Sequence, residues 1–319
     1  MLNRILQRLK YQSSFKDKIK FWKIILLELL CYPILITNEE LKKYLSYLPF
    51  KENSLNRIPV DSNEVLICIH EWAGYNSTRS KKIGKKIKEF ECGLNYQLLR
   101  FQNYCGTHKL DITLTISERE KYNYKIPDRI NTIDVSNEGY DFAGYAEFYK
   151  RKLYDNSKNQ YVILTNTSVE KSIDPFLDDY IRILEKDQTI GLLGISYNTK
   201  LYQTLIHNNF NPHLESFFLI TTSDILKKVV KKNHGNFPGN GISHKLLLIR
   251  NGEFKLSKIV LNLGYKLAFV LNDGKLYSFK KRNSFDNGYA SWKLPKGDYR
   301  LFCETPNKIN PTVNKYDQD

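Results

Sequence analysis

Three short polar residues, Asn166, Thr167 and Ser168, directly follow an uncharged segment that runs from Tyr161 to Thr165. Such uncharged segments are typical of strands buried inside a parallel sheet, and ligands bind where these strands end. One interpretation is therefore that the three residues line a binding crevice. The other is that they form a helix-capping turn, because Asn, Thr and Ser are also preferred capping residues.

A second polar turn lies earlier in the chain, between a β-branched segment at 129–135 and a segment of helical spacing that extends to about Leu153. This turn contains Asn137 and Asp141. Asp141 stands near the predicted start of the helix, where a carboxylate accepts hydrogen bonds from free backbone N–H groups. Beside a parallel sheet, the same carboxylate is suited to bind a hydroxyl group or a base of a ligand.

Apolar segments of strand length alternate with segments of helical spacing along most of the chain. The pattern predicts strands at 65–69, 110–116, 129–135, 161–165, 190–195, 213–220 and 267–271, and helices at 79–92, 141–153, 176–186, 225–232 and 243–264. Residues 94–104 fit either structure. This alternation indicates an α/β fold with a mostly parallel sheet flanked by helices.

The chain of 319 residues has a net charge of +15, which favours an anionic partner such as a phosphate-bearing substrate, an anionic lipid or nucleic acid. The sequence contains no nucleic-acid recognition motif, and its lysines are dispersed, so nucleic acid is the weakest of these candidates. The five cysteines form no C-x-x-C pair. This argues against a zinc finger or a disulfide framework and fits a reducing cytosol.

Residues 21–36 are strongly apolar but include Lys23, Glu28 and Pro33, and a basic segment precedes them. The run is short for a membrane span. Two interpretations stay open: a helix that lies at an anionic membrane surface, and a helix packed on the domain or on another subunit. The sequence predicts a helical extension at 1–60, an α/β domain at 61–275 and a C-terminal extension at 276–319.

Four segments carry a family resemblance: 137–145 (NEGYDFAGY), 161–169 (YVILTNTSV), 213–218 (HLESFF), and 252–259 (GEFKLSKI) with 264–266 (GYK). In this order they resemble the GT-A-fold glycosyltransferases that use nucleotide sugars. The branch they resemble most is associated with bacterial rhamnan and other cell-surface polysaccharides. The resemblance covers roughly residues 64–271.

The resemblance implies a GT-A-like, Rossmann-like domain that transfers a sugar from a nucleotide-sugar donor to a growing cell-surface glycan. It implies a cytoplasmic enzyme at the inner face of the cell membrane. The donor side would be formed by Asn137, Asp141, Asn166, Thr167 and Ser168. Glu253 would be the general base for the acceptor hydroxyl, with His213 and Glu215 as rival candidates.

In the resembled family a strand-end Asp-x-Asp motif holds Mg²⁺ or Mn²⁺ on the donor diphosphate. The matching positions here are residues 166–168, which offer only neutral oxygens. A divalent metal is therefore one expectation, and basic side chains that stabilise the leaving diphosphate are the other. The missing carboxylates also leave open a degenerate, non-catalytic protein that binds a glycan or partner enzymes.

Overall fold

The fold is described by a computed structural model that covers residues 13–45, 55–72, 77–83, 86–121, 126–128, 130–201, 209–271, 274–279 and 307–313. Twelve strands lie within these residues: β1 (Glu64–Trp72), β2 (Thr78–Ile83), β3 (Lys86–Glu91), β4 (Lys109–Ser117), β5 (Asn131–Val135), β6 (Tyr161–Asn166), β7 (Ile190–Gly194), β8 (Tyr197–Leu201), β9 (Asn209–Leu214), β10 (Phe218–Thr222), β11 (Lys266–Val270) and β12 (Leu276–Phe279).

Eight of these strands form one sheet in the order β12-β11-β7-β10-β6-β1-β4-β5. The pairs β1–β4, β1–β6, β4–β5 and β7–β11 are parallel, whereas β10 is antiparallel to both of its neighbours. Every residue of β6 is buried. A strand inside a parallel region has no solvent-facing side, which explains why its sequence does not alternate between apolar and polar residues.

Helices cover this sheet, and the α/β prediction is confirmed. The α-helices of the described residues are α1 (Phe15–Leu30), α2 (Tyr32–Leu45), α3 (Leu94–Gln102), α4 (Asp141–Phe148), α5 (Leu177–Lys186), α6 (Ser223–Lys232), α7 (Lys245–Ile249) and α8 (Lys255–Asn262). A π-helical turn continues α4 from Tyr149 to Leu153, and another, Arg250–Phe254, joins α7 to α8. Helix α4 packs on β1, β4 and β5, and α8 packs on β7 and β11.

The sequence pattern identifies the buried elements well. The strands predicted at 65–69, 110–116, 129–135, 161–165, 190–195 and 267–271 correspond to β1, β4, β5, β6, β7 and β11. The helices predicted at 141–153, 176–186, 225–232 and 243–264 are also present, and residues 94–104 contain helix α3. β1 is longer than predicted, because His70, Glu71 and Trp72 continue the strand beyond residue 69.

The helix predicted at 79–92 is wrong, because these residues form the antiparallel pair β2 and β3. Ile83, Ile87 and Phe90 have helical spacing, but Phe90 is buried while Ile87 is exposed. Gly84 stands between the two strands. Glycine destabilises a helix interior and is common in hairpin connections. Its presence in the sequence at position 84 therefore favours a hairpin over a helix.

The single strand predicted at 213–220 is also wrong, because the chain turns between Leu214 and Phe218. β9 ends at Leu214 and pairs with β8 outside the large sheet, whereas β10 begins at Phe218 within it. The polar residues Glu215 and Ser216 lie in the turn between them.

Segments on both sides of residues 61–275 contact the central domain. β12 pairs with β11, and Ile309 is buried in the main core. Helix α1 packs on α7 through Phe21 and Ile25. None of the helices in the described part of the chain is both long enough and apolar enough to cross a membrane.

Helix α4 approaches the sheet closely at Gly144. A methyl group added at this position would overlap the side chains of His70 on β1 and Thr115 on β4. The His70 ring nitrogen Nδ1 and Thr115 Oγ1 are themselves within hydrogen-bond distance, 3.1 Å. Gly144 therefore allows the first turn of α4, which contains Asp141, to lie against the end of the sheet.

We expect Gly144→Ala to lower the free energy of unfolding by about 1–3 kcal/mol, because an extra methyl group in a packed site displaces its neighbours. Helix propensity alone has the opposite sign and favours alanine by about 1 kcal/mol. Urea unfolding of the two proteins measures the difference. A variant as stable as the wild type, or more stable, would contradict this close packing.

Candidate functional site

A cavity of about 550 Å³ opens where β1 and β6 end and β10 begins. This edge of an α/β sheet is where such folds bind ligands, and pockets of roughly 300–1,000 Å³ suit small molecules. Cations, carboxylates, amides and hydroxyl groups line the cavity together with the aromatic residues Trp72, Phe90, Phe142 and Phe217. The cavity therefore combines an apolar surface with polar groups that converge on it.

Asp141 enters the cavity from the first turn of α4. The chain reaches this helix through two residues with positive φ, Gly139 at 115° and Tyr140 at 50°. The side-chain amide of Asn166, the last residue of β6, donates a hydrogen bond of 2.6 Å to Asp141 Oδ2. This hydrogen bond thus joins the start of α4 to the end of β6 at the cavity wall.

The turn that contains Ser216 is fixed to the end of β6. Thr165 Oγ1 and the backbone N–H of Asn166 donate to the carbonyl oxygen of Phe217, at 3.0 and 3.2 Å. The hydroxyl group of the fully buried Tyr145 donates to the carbonyl oxygen of Ser216 at 2.8 Å. The turn therefore has little freedom to move relative to the central strand.

The Ser216 hydroxyl lies between two carboxylates. Its oxygen is 2.9 Å from Glu253 Oε1 and 3.2 Å from Asp141 Oδ2, and the Ser216 backbone N–H also donates to Glu253 Oε1 at 3.1 Å. A hydroxyl group has one proton and donates to one carboxylate at a time. If the Ser216 hydroxyl donates to Asp141, a protonated Glu253 can donate to the Ser216 oxygen, and both contacts are then hydrogen bonds. The geometry therefore favours a protonated Glu253.

The electrostatic environment of Glu253 also favours its protonated form. The pKa of Glu253 is raised to about 7, mainly by burial; the neighbouring Glu215 and Asp141 also raise it, and the hydrogen bonds from Ser216 lower it. A carboxyl group with a pKa near neutral pH is present in both protonation states and can exchange a proton with a ligand. Glu253 is therefore suited to general acid–base chemistry.

Asn166 and Ser168 form a local turn at the end of β6. Asn166 Oδ1 accepts hydrogen bonds from the backbone N–H of Ser168 at 2.9 Å and from its hydroxyl at 2.6 Å. Residues 166–168 also line the cavity. The turn caps no helix, because the next helix, α5, begins only at Leu177. The interpretation of residues 166–168 as a helix-capping turn is therefore wrong, and their position in the cavity lining agrees with the other interpretation.

This turn does not fit a divalent cation. Two donors from Ser168 already use the amide oxygen of Asn166, and its amide nitrogen faces Asp141. Mg²⁺ and Mn²⁺ prefer carboxylate oxygens, and the residues at 166–168 supply none. Within the described ranges, no group of three or more His, Cys, Asp or Glu side chains is arranged to hold a metal ion.

Cationic side chains reach the cavity from the β2–β3 hairpin and from α7. Lys81 Nζ lies 4.9 Å from the centre of the Phe217 ring and 3.6 Å from Glu215, and it donates to Asn307 Oδ1 at 2.8 Å. Arg79 and Lys245 also line the cavity. These groups bring positive charge, which suits a phosphate group, into the cavity lining.

The structure brings most of the predicted site residues to this cavity, namely Asn137, Asp141, Asn166, Thr167, Ser168, Glu215 and Glu253. His213 is not among the lining residues; its side chain is buried and its ring packs edge-on against that of Phe254, with centroids 6.2 Å apart. Sequence reasoning missed Ser216 and Lys81. For Ser216 a signal was available, because it follows Glu215 in the 213–218 segment. For Lys81 none was, because residues 79–92 were predicted to form a helix with its lysines in solvent.

Two further titratable residues lie near the end of β1. Burial lowers the pKa of His70, whose ring nitrogen Nε2 has no hydrogen-bond partner among the described residues. Burial raises the pKa of Glu71 to about 7, against a hydrogen bond with Thr167 that lowers it. Both groups are therefore held in an environment that disfavours their charged forms.

No protein-family model matches the chain, and no curated protein matches it significantly. The chemistry of the site consequently rests on the residues of this chain and on their geometry.

We expect Glu71→Gln to stabilise the protein relative to the wild type at pH 8 by on the order of 2 kcal/mol, and by much less at pH 5. The pKa of Glu71 in the fold, about 7, lies above its ordinary value of 4.5. Its contribution to stability is therefore present below pH 4.5 and is lost as the pH rises through 7. Urea unfolding at both pH values measures the difference.

Glu89→Gln is the matched control, because Glu89 is exposed on β3. Its unfolding free energy should follow that of the wild type at both pH values. A Glu71→Gln effect of equal size at pH 5 and pH 8 would contradict a raised pKa for this carboxyl group.

Proposed function

We propose that this protein is a GT-A-like glycosyltransferase that moves a sugar from a nucleotide-sugar donor to a glycan acceptor. One observation carries the proposal. The cavity at the end of the parallel strands is lined by Glu253, with a pKa of about 7, beside Ser216 and Asp141, and also by the cation Lys81. An inverting glycosyl transfer needs these two parts: a base for the acceptor hydroxyl and positive charge near the departing diphosphate.

Glu253 is the proposed base. The acceptor hydroxyl gives its proton to the Glu253 carboxylate as its oxygen bonds to the anomeric carbon of the donor sugar. The bond between that carbon and the phosphate oxygen breaks, and its electron pair leaves with the nucleoside diphosphate. The Ser216 backbone N–H donates to Glu253 Oε1 at 3.1 Å and orients the carboxylate in both protonation states.

Asp141 and Asn166 are the proposed donor-side residues. They are joined by a 2.6 Å hydrogen bond and lie on the wall formed by α4 and β6. A carboxylate in this position accepts hydrogen bonds from ribose or sugar hydroxyl groups, as acidic residues do in other nucleotide-binding α/β folds. Asn137 also lines the cavity and adds to its polar surface.

The leaving diphosphate is proposed to be stabilised by side-chain cations. Lys81, Arg79 and Lys245 line the cavity, and the turn at 166–168 lacks the carboxylates that a divalent metal would need. Preorganised positive charge stabilises the negative charge that develops on a leaving group. The proposed reaction therefore proceeds without a divalent cation.

We expect Glu253→Gln to reduce transfer or donor hydrolysis by at least about 100-fold, the usual contribution of a general base. Donor affinity should change only a few-fold, because glutamine keeps the shape of the side chain. The wild-type rate should rise with pH through about 7, as the base loses its proton. Initial rates with UDP-, GDP- and dTDP-sugars, together with calorimetric binding, measure both quantities.

Glu120→Gln is the control, because Glu120 is exposed on the Arg119–Lys121 turn. It should leave both the rate and the affinity at wild-type values. Full activity of Glu253→Gln with a donor that the wild type transfers would remove Glu253 as the base. Failure of every tested nucleotide sugar to bind would count against the proposed function.

We also expect transfer to persist in EDTA, and Lys81→Ala to lower kcat/KM by at least about tenfold through loss of charge beside the diphosphate. Lys86→Ala, at an exposed site on β3, is the matched control and should retain activity. Activity that is lost in EDTA and restored by Mn²⁺ would contradict the cation mechanism.

A second candidate function is a transferase-like protein that binds a glycan or a partner enzyme without catalysis. The observation that favours it is the neutral turn at 166–168, whose amide and hydroxyl groups bond to one another. This candidate predicts that nucleotide sugars or glycans bind with no turnover, and with no effect of Glu253→Gln on binding.

A further inference from the structure

Helix α1 has a second apolar face that nothing in the described part of the chain covers. One face, formed by Asp17, Phe21 and Ile25, is buried against the domain. The residues of the opposite face recur at intervals of three or four along the helix and are exposed: Phe15, Ile19, Trp22, Leu26, Leu29 and Leu30. Phe15 is 78% exposed, Leu26 58% and Leu30 71%. An ordinary surface helix has one apolar face, and this helix has two.

The buried face fixes α1 firmly on the domain. Asp17 Oδ2 accepts from the backbone N–H and the hydroxyl group of Ser243, both at 2.8 Å, and from the N–H of His244 at 3.3 Å. The Phe21 ring stacks on that of His244, with centroids 4.4 Å apart. The outer face is therefore presented in a defined direction, and the helix cannot turn it inward without losing these contacts.

Lysines border the outer apolar face. Lys16, Lys20 and Lys23 follow the same intervals of three and four residues and lie along one side of it, and Lys18 lies on the other. All four side chains are exposed. An apolar stripe with a lysine border is typical of a helix that lies in the surface of an anionic membrane, because the stripe enters the acyl region while the cations meet lipid phosphates.

We propose that the outer face of α1 binds the surface of an anionic lipid bilayer. The lysine border argues for this occupant over a second copy of the chain, because two copies joined through this face would bring their lysines together. The net charge of +15 acts in the same direction. The proposal does not depend on glycosyl transfer.

Membrane binding through this face would keep the cavity near the bilayer. Leu246 and Leu247 of α7 contact α1, while Lys245, Leu248 and Ile249 of the same helix line the cavity. One short helix therefore separates the outer layer, α1, from the candidate site.

Vesicle cosedimentation of the full chain tests the proposal. We expect it to bind vesicles that contain phosphatidylglycerol, to bind phosphatidylcholine vesicles much more weakly, and to be released as salt is raised. The double variant Ile19→Ser/Leu26→Ser should bind phosphatidylglycerol vesicles about tenfold more weakly or worse, because it removes apolar side chains from the stripe. Replacing Lys16, Lys20 and Lys23 by alanine should weaken binding to a similar extent.

Ile87→Ser is the matched control, because Ile87 is 71% exposed on β3, outside α1. It should bind vesicles as the wild type does, and thermal unfolding should confirm that the α1 variants remain folded. Wild-type binding by both α1 variants, or no binding of the wild type to phosphatidylglycerol vesicles, would overturn the proposal. A dimer that Ile19→Ser/Leu26→Ser converts to monomer, without lipid binding by the wild type, would assign the face to a second copy.

Discussion

The Ser216 hydroxyl has one proton, and two carboxylates lie within reach of it. Asp141 and Glu253 approach the same oxygen, and the pKa of Glu253 is raised to about 7, first by burial and then by the negative charges of Glu215 and Asp141. This arrangement requires that three separate parts of the fold meet within hydrogen-bond distance. The close approach of α4 to the sheet at Gly144 and the hydrogen bonds between the Ser216 turn and β6 hold these parts in position.

The strands and helices of the core could be predicted from sequence because burial imposes a local pattern. β6 has no charged residue since both of its faces are covered, and α5 and α6 each bury one apolar stripe. The hairpin β2–β3 could not be predicted in this way. Among its side chains whose burial is described, Phe90 alone is buried, so burial imposes little pattern on the sequence, and Gly84 is the residue that indicates a turn.

The candidate site was predicted in part for a related reason. Polar residues at the ends of apolar strands and at the start of a helix identified Asp141 and Asn166 without knowledge of the fold. The contacts that give the site its chemistry join residues far apart in the chain. Ser216 lies 75 residues from Asp141 and 37 from Glu253, and no local pattern encodes such pairs. Likewise, the burial of His213 against Phe254 follows from the separate sheet formed by β8 and β9.

The central claim is that a nucleotide sugar binds between the end of β6 and the Ser216 turn. Hydrogen–deuterium exchange of the full chain, with and without each of a panel of nucleotide sugars, tests this claim most directly. Backbone amides of 166–168 and of 215–217 should be protected by the donor that binds, while those of α6, which does not line the cavity, remain unchanged. Protection elsewhere with none at these two turns, or no protection by any nucleotide sugar, would contradict the account.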